Sequence, residues 1–387
     1  MSSNILVECV APLPSVRVGV LEPLKLHQES GRCSLRFVET KNIKNADIAW
    51  ADTVISVRGS EYISLCVLRA AKQAGRKVIY FLDDDLLDIP QGNESSPYFS
   101  CGSIKETIEE ALRCADILWC VNQSIADKYA SYARERAVVL GVPARIEKEV
   151  CMMPKEKVKL LYAGSIDHRA VLQEYILPAV ERLADEMGEK AEFTFIGPDP
   201  GLSGKTNVYH HEFFYNYDEY KNFVRDGGFD IGIAPIRISD FYGAKYFNKF
   251  IEYSSIGAAG IYTDALPYRL VVEDGKNGFL CRNTPKDWYE KMRSLILDQS
   301  ALRSCAQAAQ EKLRREFSHE KISRDLEEKL PELLSYKAEE IQGSLSRLPN
   351  LQRLFYQEKL RLYLKIYGIR TLPIIGRKII KTMKKRR

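Results

Sequence analysis

With 387 residues and 45% apolar content, the chain reads as a soluble globular protein too long for one hydrophobic core, so two domains are expected. Its net charge of +5 is unevenly divided: residues 350–387 carry twelve Lys and Arg against the single Glu358, a charge of +11 that leaves −6 for residues 1–349 and argues against a nucleic-acid-binding body. Nine scattered cysteines without a C-x-x-C pair exclude a disulfide scaffold and an ordinary zinc site and fit a reducing cytosol; the opening residues, without a basic flank or long apolar stretch, do not read as a signal peptide, and no run approaches ~20 apolar residues.

Short Val/Ile-rich runs at 5–10, 33–38, 53–57, 77–82, 117–121 and 137–140 read as strands, with helical periodicity over 61–74, closed by Gly75, and over 104–114. Runs without polar alternation suit strands buried on both faces, so a parallel α/β sheet is expected over residues 1–150. Charge and proline break the pattern around 143–157. A second series then follows at 158–163, 192–196, 208–213, 231–235, 260–263 and 278–281, with a helix over 170–186 and another at Lys245, making a second domain of 151–337. The last helix of that span could return to the first domain. Two doubly wound, Rossmann-like domains facing a cleft would put the loops 164–169, 197–204 and 236–244 beside a ligand, because such sheets bind at the carboxyl ends of their strands. Residues 338–387 form a basic tail. Apolar residues interleaved with its lysines and arginines after Asn350 suit either an amphipathic segment on an anionic membrane surface or a helix packed on the domain with a frayed basic end.

The chemistry concentrates in Lys245-Tyr-Phe-Asn-Lys249-Phe-Ile-Glu252-Tyr. If this segment is helical, Lys245, Lys249 and Glu252 at i, i+4 and i+7 share one face, beside an apolar row of Tyr246, Phe250 and Tyr253. A lysine in a first helical turn opposes the helix dipole, and a bound anion removes the conflict. A diphosphate suits the lysines and the helix terminus, and a carboxylate two turns on can accept from ribose hydroxyls. The alternative is an exposed helix of mixed charge.

Four stretches in order, Tyr162-Ala-Gly164-Ser-Ile-Asp, Asp230-Ile-Gly-Ile-Ala-Pro235, Asn248-Lys-Phe-Ile-Glu252-Tyr-Ser-Ser-Ile-Gly257 and Pro267-Tyr-Arg-Leu-Val-Val-Glu273-Asp-Gly-Lys-Asn-Gly278, resemble the nucleotide-sugar domain of GT-B glycosyltransferases of the group-1, family 4 type. The first half resembles the acceptor domain of polysaccharide-assembly members through Arg58-Gly59 and Val78-Ile-Tyr-Phe-Leu-Asp-Asp-Asp85. The resemblance implies a metal-independent, retaining transfer of a sugar from a nucleoside diphosphate to a hydroxyl of a glycan or lipid-linked acceptor, with no other cofactor. It implies that Glu252 holds the ribose and that Gly164, Ser165 and loop amides face the phosphates, with Lys249, Lys245 and Arg169 supplying positive charge. Three positions depart from the family's pattern. Ala244 stands where a first glutamate is common, Glu174 where a lysine would complete a basic pair, and Leu270 where many members carry a carboxylate.

Asp83-Asp84-Asp85 ends a predicted strand, and three adjacent carboxylates need a positive or hydroxyl-rich neighbour. Asp84 or Asp85 is the candidate to bind or deprotonate an acceptor hydroxyl, the alternative being a helix-capping cluster. His168, beside Arg169, could contact the donor, whereas His210-His211 lacks a third metal ligand nearby. The expected protein is a cytoplasmic glycosyltransferase of surface-polysaccharide assembly, peripheral on the inner membrane face through its tail. The competing reading is a non-catalytic partner subunit with a degraded donor site, suggested by Ala244. A dinucleotide oxidoreductase fares worse, since no G-x-G-x-x-G follows the first strand.

Overall fold

The computed structural model describes residues 2–341 and 347–368. The chain divides into two compact units, Met1–Leu140 with Asp325–Arg387, and Gly141–Arg324.

The sheet of the first unit contains β1 (Ser3–Cys9), β2 (Cys33–Glu39), β3 (Thr53–Val57), β4 (Lys77–Leu82), β5 (Ile117–Cys120) and β6 (Arg136–Val139), in the order β2-β1-β3-β4-β5-β6. Every pairing is parallel. All residues of β3 and β5 are buried, as the uninterrupted apolar runs require of strands covered on both faces. Helices α1 (Tyr62–Gln73), α2 (Gly102–Cys114) and α3 (Gln123–Tyr129) belong to this unit. The α1 helix carries seven buried residues on its inward stripe.

The second unit repeats the plan with β7 (Val158–Ala163), β8 (Ala191–Ile196), β9 (Val208–His211), β10 (Ile231–Ala234), β11 (Ala259–Thr263) and β12 (Phe279–Cys281), ordered β12-β11-β10-β7-β8-β9 and parallel throughout. Ile233 is level with Tyr162 and Ile261, and Tyr162 with Phe195, so the loops after β7, β8, β10 and β11 emerge side by side. The helices used below are α4 (Leu177–Glu186), α5 (Tyr217–Asp226), α6 (Asn248–Ser255), α7 (Pro285–Leu297) and α8 (Gln299–Glu316). Side chains from α4, α7 and α8 join those of the strands in one apolar core around Phe193, Phe195 and Trp288. On the sheet, Gly232 makes room for a ring: a Cβ there would lie 2.1 Å from Tyr253, whose hydroxyl donates to the Ile233 carbonyl at 3.0 Å. This close approach seats α6 on β10.

The twelve strands match the predicted runs, and both sheets are the expected doubly wound, parallel kind. The tail begins as helix α9 (Leu351–Tyr367), capped by the Asn350 side chain, which accepts from the Arg353 N–H at 3.0 Å. Leu351 and Phe355 are buried against the first unit, and Lys359 lies 3.6 Å from the buried Glu61. The start of the tail is therefore packed on the domain, while Tyr356, Leu360 and Tyr367 remain exposed. The expected basic end, residues 369–387, lies outside the described residues. No helix among the described residues is long and apolar enough to cross a membrane.

One carboxylate of α9 is costly where it sits. Burial, reinforced by the Glu61 charge, raises the Glu358 carboxyl from its ordinary 4.5 to about 7, and its Oε2 is buried without a hydrogen bond. A folded-state value above the unfolded one favours the neutral acid, so packing of α9 is firmest in acid and weakens as pH climbs from 4.5 to about 7. Glu358→Gln, neutral at every pH, should melt above wild type at about pH 8, with the difference closing toward about pH 5. Equal melting temperatures at both pH values would show that water already solvates this carboxylate.

Candidate functional site

In the second unit the chemistry-bearing side chains gather at the carboxyl ends of β7 and β10. After β7 come Gly164, Ser165 and a 3-10 turn, Ile166–His168, which leads into a helical run starting at Arg169. After β10 the chain forms a short helix, Asp240–Gly243, capped by the Ser239 side chain, and then turns into α6. Lys249 lies in the first turn of α6 and Glu252 one turn on, their side chains ion-paired. The Lys249 Nζ also donates to the Tyr220 hydroxyl of α5 at 3.1 Å, which brings that phenol close enough to Glu252 to feel its carboxylate. Burial and the Glu252 carboxylate push the Tyr220 phenol well above its ordinary value, so it keeps its proton.

His168 completes the group. Its ring centroid is 5.9 Å from that of Tyr242, and burial together with the charges of Lys245 and Lys249, against Asp167, lowers its imidazole to about 4. It is neutral at physiological pH and able both to donate and to accept a hydrogen bond. The cluster thus holds two ammoniums, one carboxylate, one phenol and one uncharged imidazole.

Two expectations are adjusted here. Lys245 does not share a helical face with Lys249 and Glu252, because α6 starts at Asn248 and Lys245 precedes it. The physical cause is the Tyr246-Phe247 pair: both rings are buried and stacked with centroids 4.1 Å apart, and the Tyr246 hydroxyl accepts from the Val142 N–H at 3.2 Å. Burying two consecutive aromatics this way breaks the helix, so the first-turn lysine is Lys249. Lys245 instead sits with its Nζ 4.8 Å from the Phe241 ring centroid, still close enough to act on His168. The Gly164 amide is spent within the sheet, donating to the Ile196 carbonyl at 3.1 Å, and is not available to an anion. Glycine is needed there for packing, since a Cβ would lie 2.5 Å from the Tyr162 hydroxyl. Ser165 accepts the His168 N–H through its carbonyl at 3.1 Å, and Arg169 is exposed with no ion-pair partner among the described residues.

In the first unit the strand ends bring together Arg58, Asp83 and Asp84. Arg58 follows β3 with φ 53°, a left-handed conformation unusual for a residue with a side chain, and its Nη1 lies 3.3 Å from Asp83 and 3.2 Å from Asp84. Burial and the Asp84 charge raise the Asp83 carboxyl despite Arg58 and Ser15. Asp85 points elsewhere. It is buried, paired with Lys128 at 2.5 Å and hydrogen-bonded by the Tyr129 hydroxyl, both from α3. A carboxylate so held braces the β4 loop against α3 and is poorly placed to take a proton from a ligand. The aspartate triplet is thus split between a half-buried pair held by Arg58 and a brace.

Sequence reading placed no helix over 217–226 and so missed Tyr220. A signal was available in Asn216, which caps the Asp218 and Glu219 N–H groups at 2.9 and 3.4 Å, with acids in the first turn and Arg225 in the last.

No protein-family model matches the chain, and no curated protein matches it. Among solved structures it resembles Alr3699/HepE of Anabaena in complex with UDP-glucose, with a TM-score of 0.58 and 12% identity over 84% of this chain and 98% of that one. A glycosyltransferase from Rickettsia africae ESF-5 gives a TM-score of 0.57 and 13% identity over 87% of this chain and 100% of that one. Sucrose-phosphate synthase from Thermosynechococcus elongatus gives a TM-score of 0.57 and 9% identity, covering 84% and 98%. At such identities the likeness is one of fold: the chain has the two-domain α/β GT-B architecture that the resemblance implied.

If Asp85 is a brace, Asp85→Ala should lower stability by about 2–3 kcal/mol, since it leaves the Tyr129 hydroxyl and Lys128 short of a buried partner. Chemical denaturation of the purified variant measures this. An unchanged midpoint would return Asp85 to the list of groups free for chemistry.

Proposed function

We propose that the chain transfers a sugar from a nucleoside-diphosphate sugar to a hydroxyl of a glycan or glycolipid acceptor in surface-polysaccharide assembly. The observation that carries this reading is the cluster of Lys245, Lys249, Glu252, Tyr220 and His168 at the carboxyl edge of the second sheet. Ammonium groups at that edge, one of them in the first turn of α6, suit a diphosphate whose negative charge grows as the sugar departs. Arg169 and the Ser165 loop are assigned to the same phosphates, and Glu252 to the ribose hydroxyls. His168, uncharged, adds hydrogen bonding without adding charge. The solved complexes of HepE with UDP-glucose, and with UDP and glucose, support a uridine-type donor.

On the acceptor side Asp84, with Asp83 beside it, is assigned to the incoming hydroxyl. Arg58 holds the two carboxylates together, and the raised Asp83 carboxyl is suited to proton exchange. A panel of UDP, GDP and ADP and their common sugar conjugates should raise the melting temperature of the full chain by mass action for at least one member. Glu252→Ala should shrink that shift while folding normally, and Asp84→Asn should keep it and lose turnover by about 100-fold or more. Silence of wild type across the whole panel would overturn the reading.

Ala244 favours a second reading, a partner subunit without turnover. It is buried and apolar at the edge of the cluster, where a carboxylate would otherwise meet the donor sugar by the family's pattern. Donor binding without hydrolysis or transfer, in the presence of a glycan acceptor, would select this alternative.

The tail is assigned to an anionic membrane surface, with the basic residues after Gly368 and the exposed Tyr356, Leu360 and Tyr367 as the contact. A chain stopped after Gly368 should co-sediment with vesicles containing about 30% anionic lipid less than wild type does, and the gap should shrink in high salt. Equal sedimentation would remove the membrane from the proposal.

A further inference from the structure

The phenol of Tyr220 stands beside the two charged groups assigned to the donor, and its chemistry leaves it little choice of geometry. A phenol has one proton to give and lone pairs to receive with. The Lys249 ammonium, which can only donate, supplies a proton to its oxygen at 3.1 Å and is itself paired with Glu252, so the phenol's own proton is left for the adjacent Glu252 carboxylate. Lys249 closes the cycle by pairing with Glu252 directly. Each of the three groups is thereby held by the other two.

The ring itself is fixed from behind. It stacks on Tyr217, with centroids 6.4 Å apart and planes 29° apart, and lies 6.0 Å from Phe214, while α5 is anchored by its Asn216 cap. A rigid, two-torsion side chain thus brings its hydroxyl to a carboxylate that would otherwise turn about three torsions of its own. A carboxylate accepts at about four positions. With Lys249 and Tyr220 occupying two of them, the rest are aimed in set directions, which is what a pair of adjacent hydroxyls on one sugar ring requires.

We propose that Tyr220 is the positioning residue that makes Glu252 selective for the ribose of the donor, by fixing the direction of the carboxylate lone pairs left for its hydroxyls. The inference rests on the assignment of Glu252 to the ribose given above. Tyr220 touches no donor atom in this scheme. It acts through Glu252 and Lys249.

The test compares UDP, GDP and ADP with their 2′-deoxy counterparts by calorimetry on the full chain. Wild type should prefer the best-bound ribonucleotide over its deoxy form by about 10-fold or more, the worth of a hydrogen bond to a charged group. Tyr220→Phe keeps the ring and its packing but removes the hydroxyl. It should weaken the ribonucleotide by about 5- to 10-fold and change the deoxy form by no more than about 2-fold, so that the preference collapses. Tyr220→Met, which lacks both hydroxyl and ring, should give the same collapse and serves should the Phe variant melt early.

The outcomes separate the two claims. A Phe variant that keeps the wild-type preference overturns the inference, as does one that weakens both forms equally, since that would make Tyr220 a general support of the seat. Glu252→Ala should also erase the preference. If it does not, the assignment of Glu252 to the ribose fails first, and the inference falls with it. Failure of all three ribonucleotides to bind wild type rejects the donor reading itself.

Discussion

Parallel pairing is the constraint on which the rest depends. Because all strands of each sheet run the same way, each loop that follows a strand leaves at one edge, and residues far apart in sequence become neighbours there. In the second unit this brings His168, after β7, beside Lys245 and Lys249, after β10, although some eighty positions separate them. In the first it brings Arg58, after β3, to Asp83 and Asp84, after β4. The arrangement holds only while both faces of each sheet are covered, which is why the strands are apolar without alternation. It also explains the small residues on which aromatics lie, as Tyr253 does on Gly232.

Charge at the two edges is arranged in opposite senses. The second unit gathers ammoniums, keeps its imidazole neutral and sets its carboxylate between a lysine and a phenol. The first gathers carboxylates around one arginine in a left-handed backbone conformation. Backbone in such a region persists where its surroundings hold it, and here the Arg58 N–H is tied to the Phe81 carbonyl at 3.0 Å while its side chain spans two acids. A cationic edge suits an anionic ligand and an acidic edge suits hydroxyls, and the proposed donor and acceptor roles rest on that contrast.

Buried carboxylates are unusually frequent in the first unit, and they differ in how they are satisfied. Glu8 is fully buried but accepts from Thr40, Ser56 and Ser64, the last at 3.3 Å. Glu61 accepts from Tyr98 at 3.3 Å and meets Lys359 of α9, so the tail helix supplies the countercharge for a side chain that the sheet has already taken out of water. Glu358, its neighbour on α9, lacks such provision. The tail is thus tied to the domain by one favourable charge and strained by another, with Leu351 and Phe355 providing the apolar grip.

Local pattern was enough for the architecture, because a strand buried on both faces and a helix with one apolar stripe each leave a short-range signature. Thus 53–57, 77–82 and 158–163 are read from composition alone, and Lys249 and Glu252, three apart on one helix, are neighbours by helical geometry. Contacts between elements were decided only in three dimensions. Burial of Tyr246 and Phe247 moved the start of α6 and took Lys245 off its face, the sheet ladder claimed the Gly164 amide, and α3 claimed Asp85. Tyr220 could not be foreseen as a partner of Glu252, since a side chain's hydrogen bonds across thirty residues depend on where two helices meet. Periodicity records which face of an element is dry, whereas the partners a polar group finds there are set by packing.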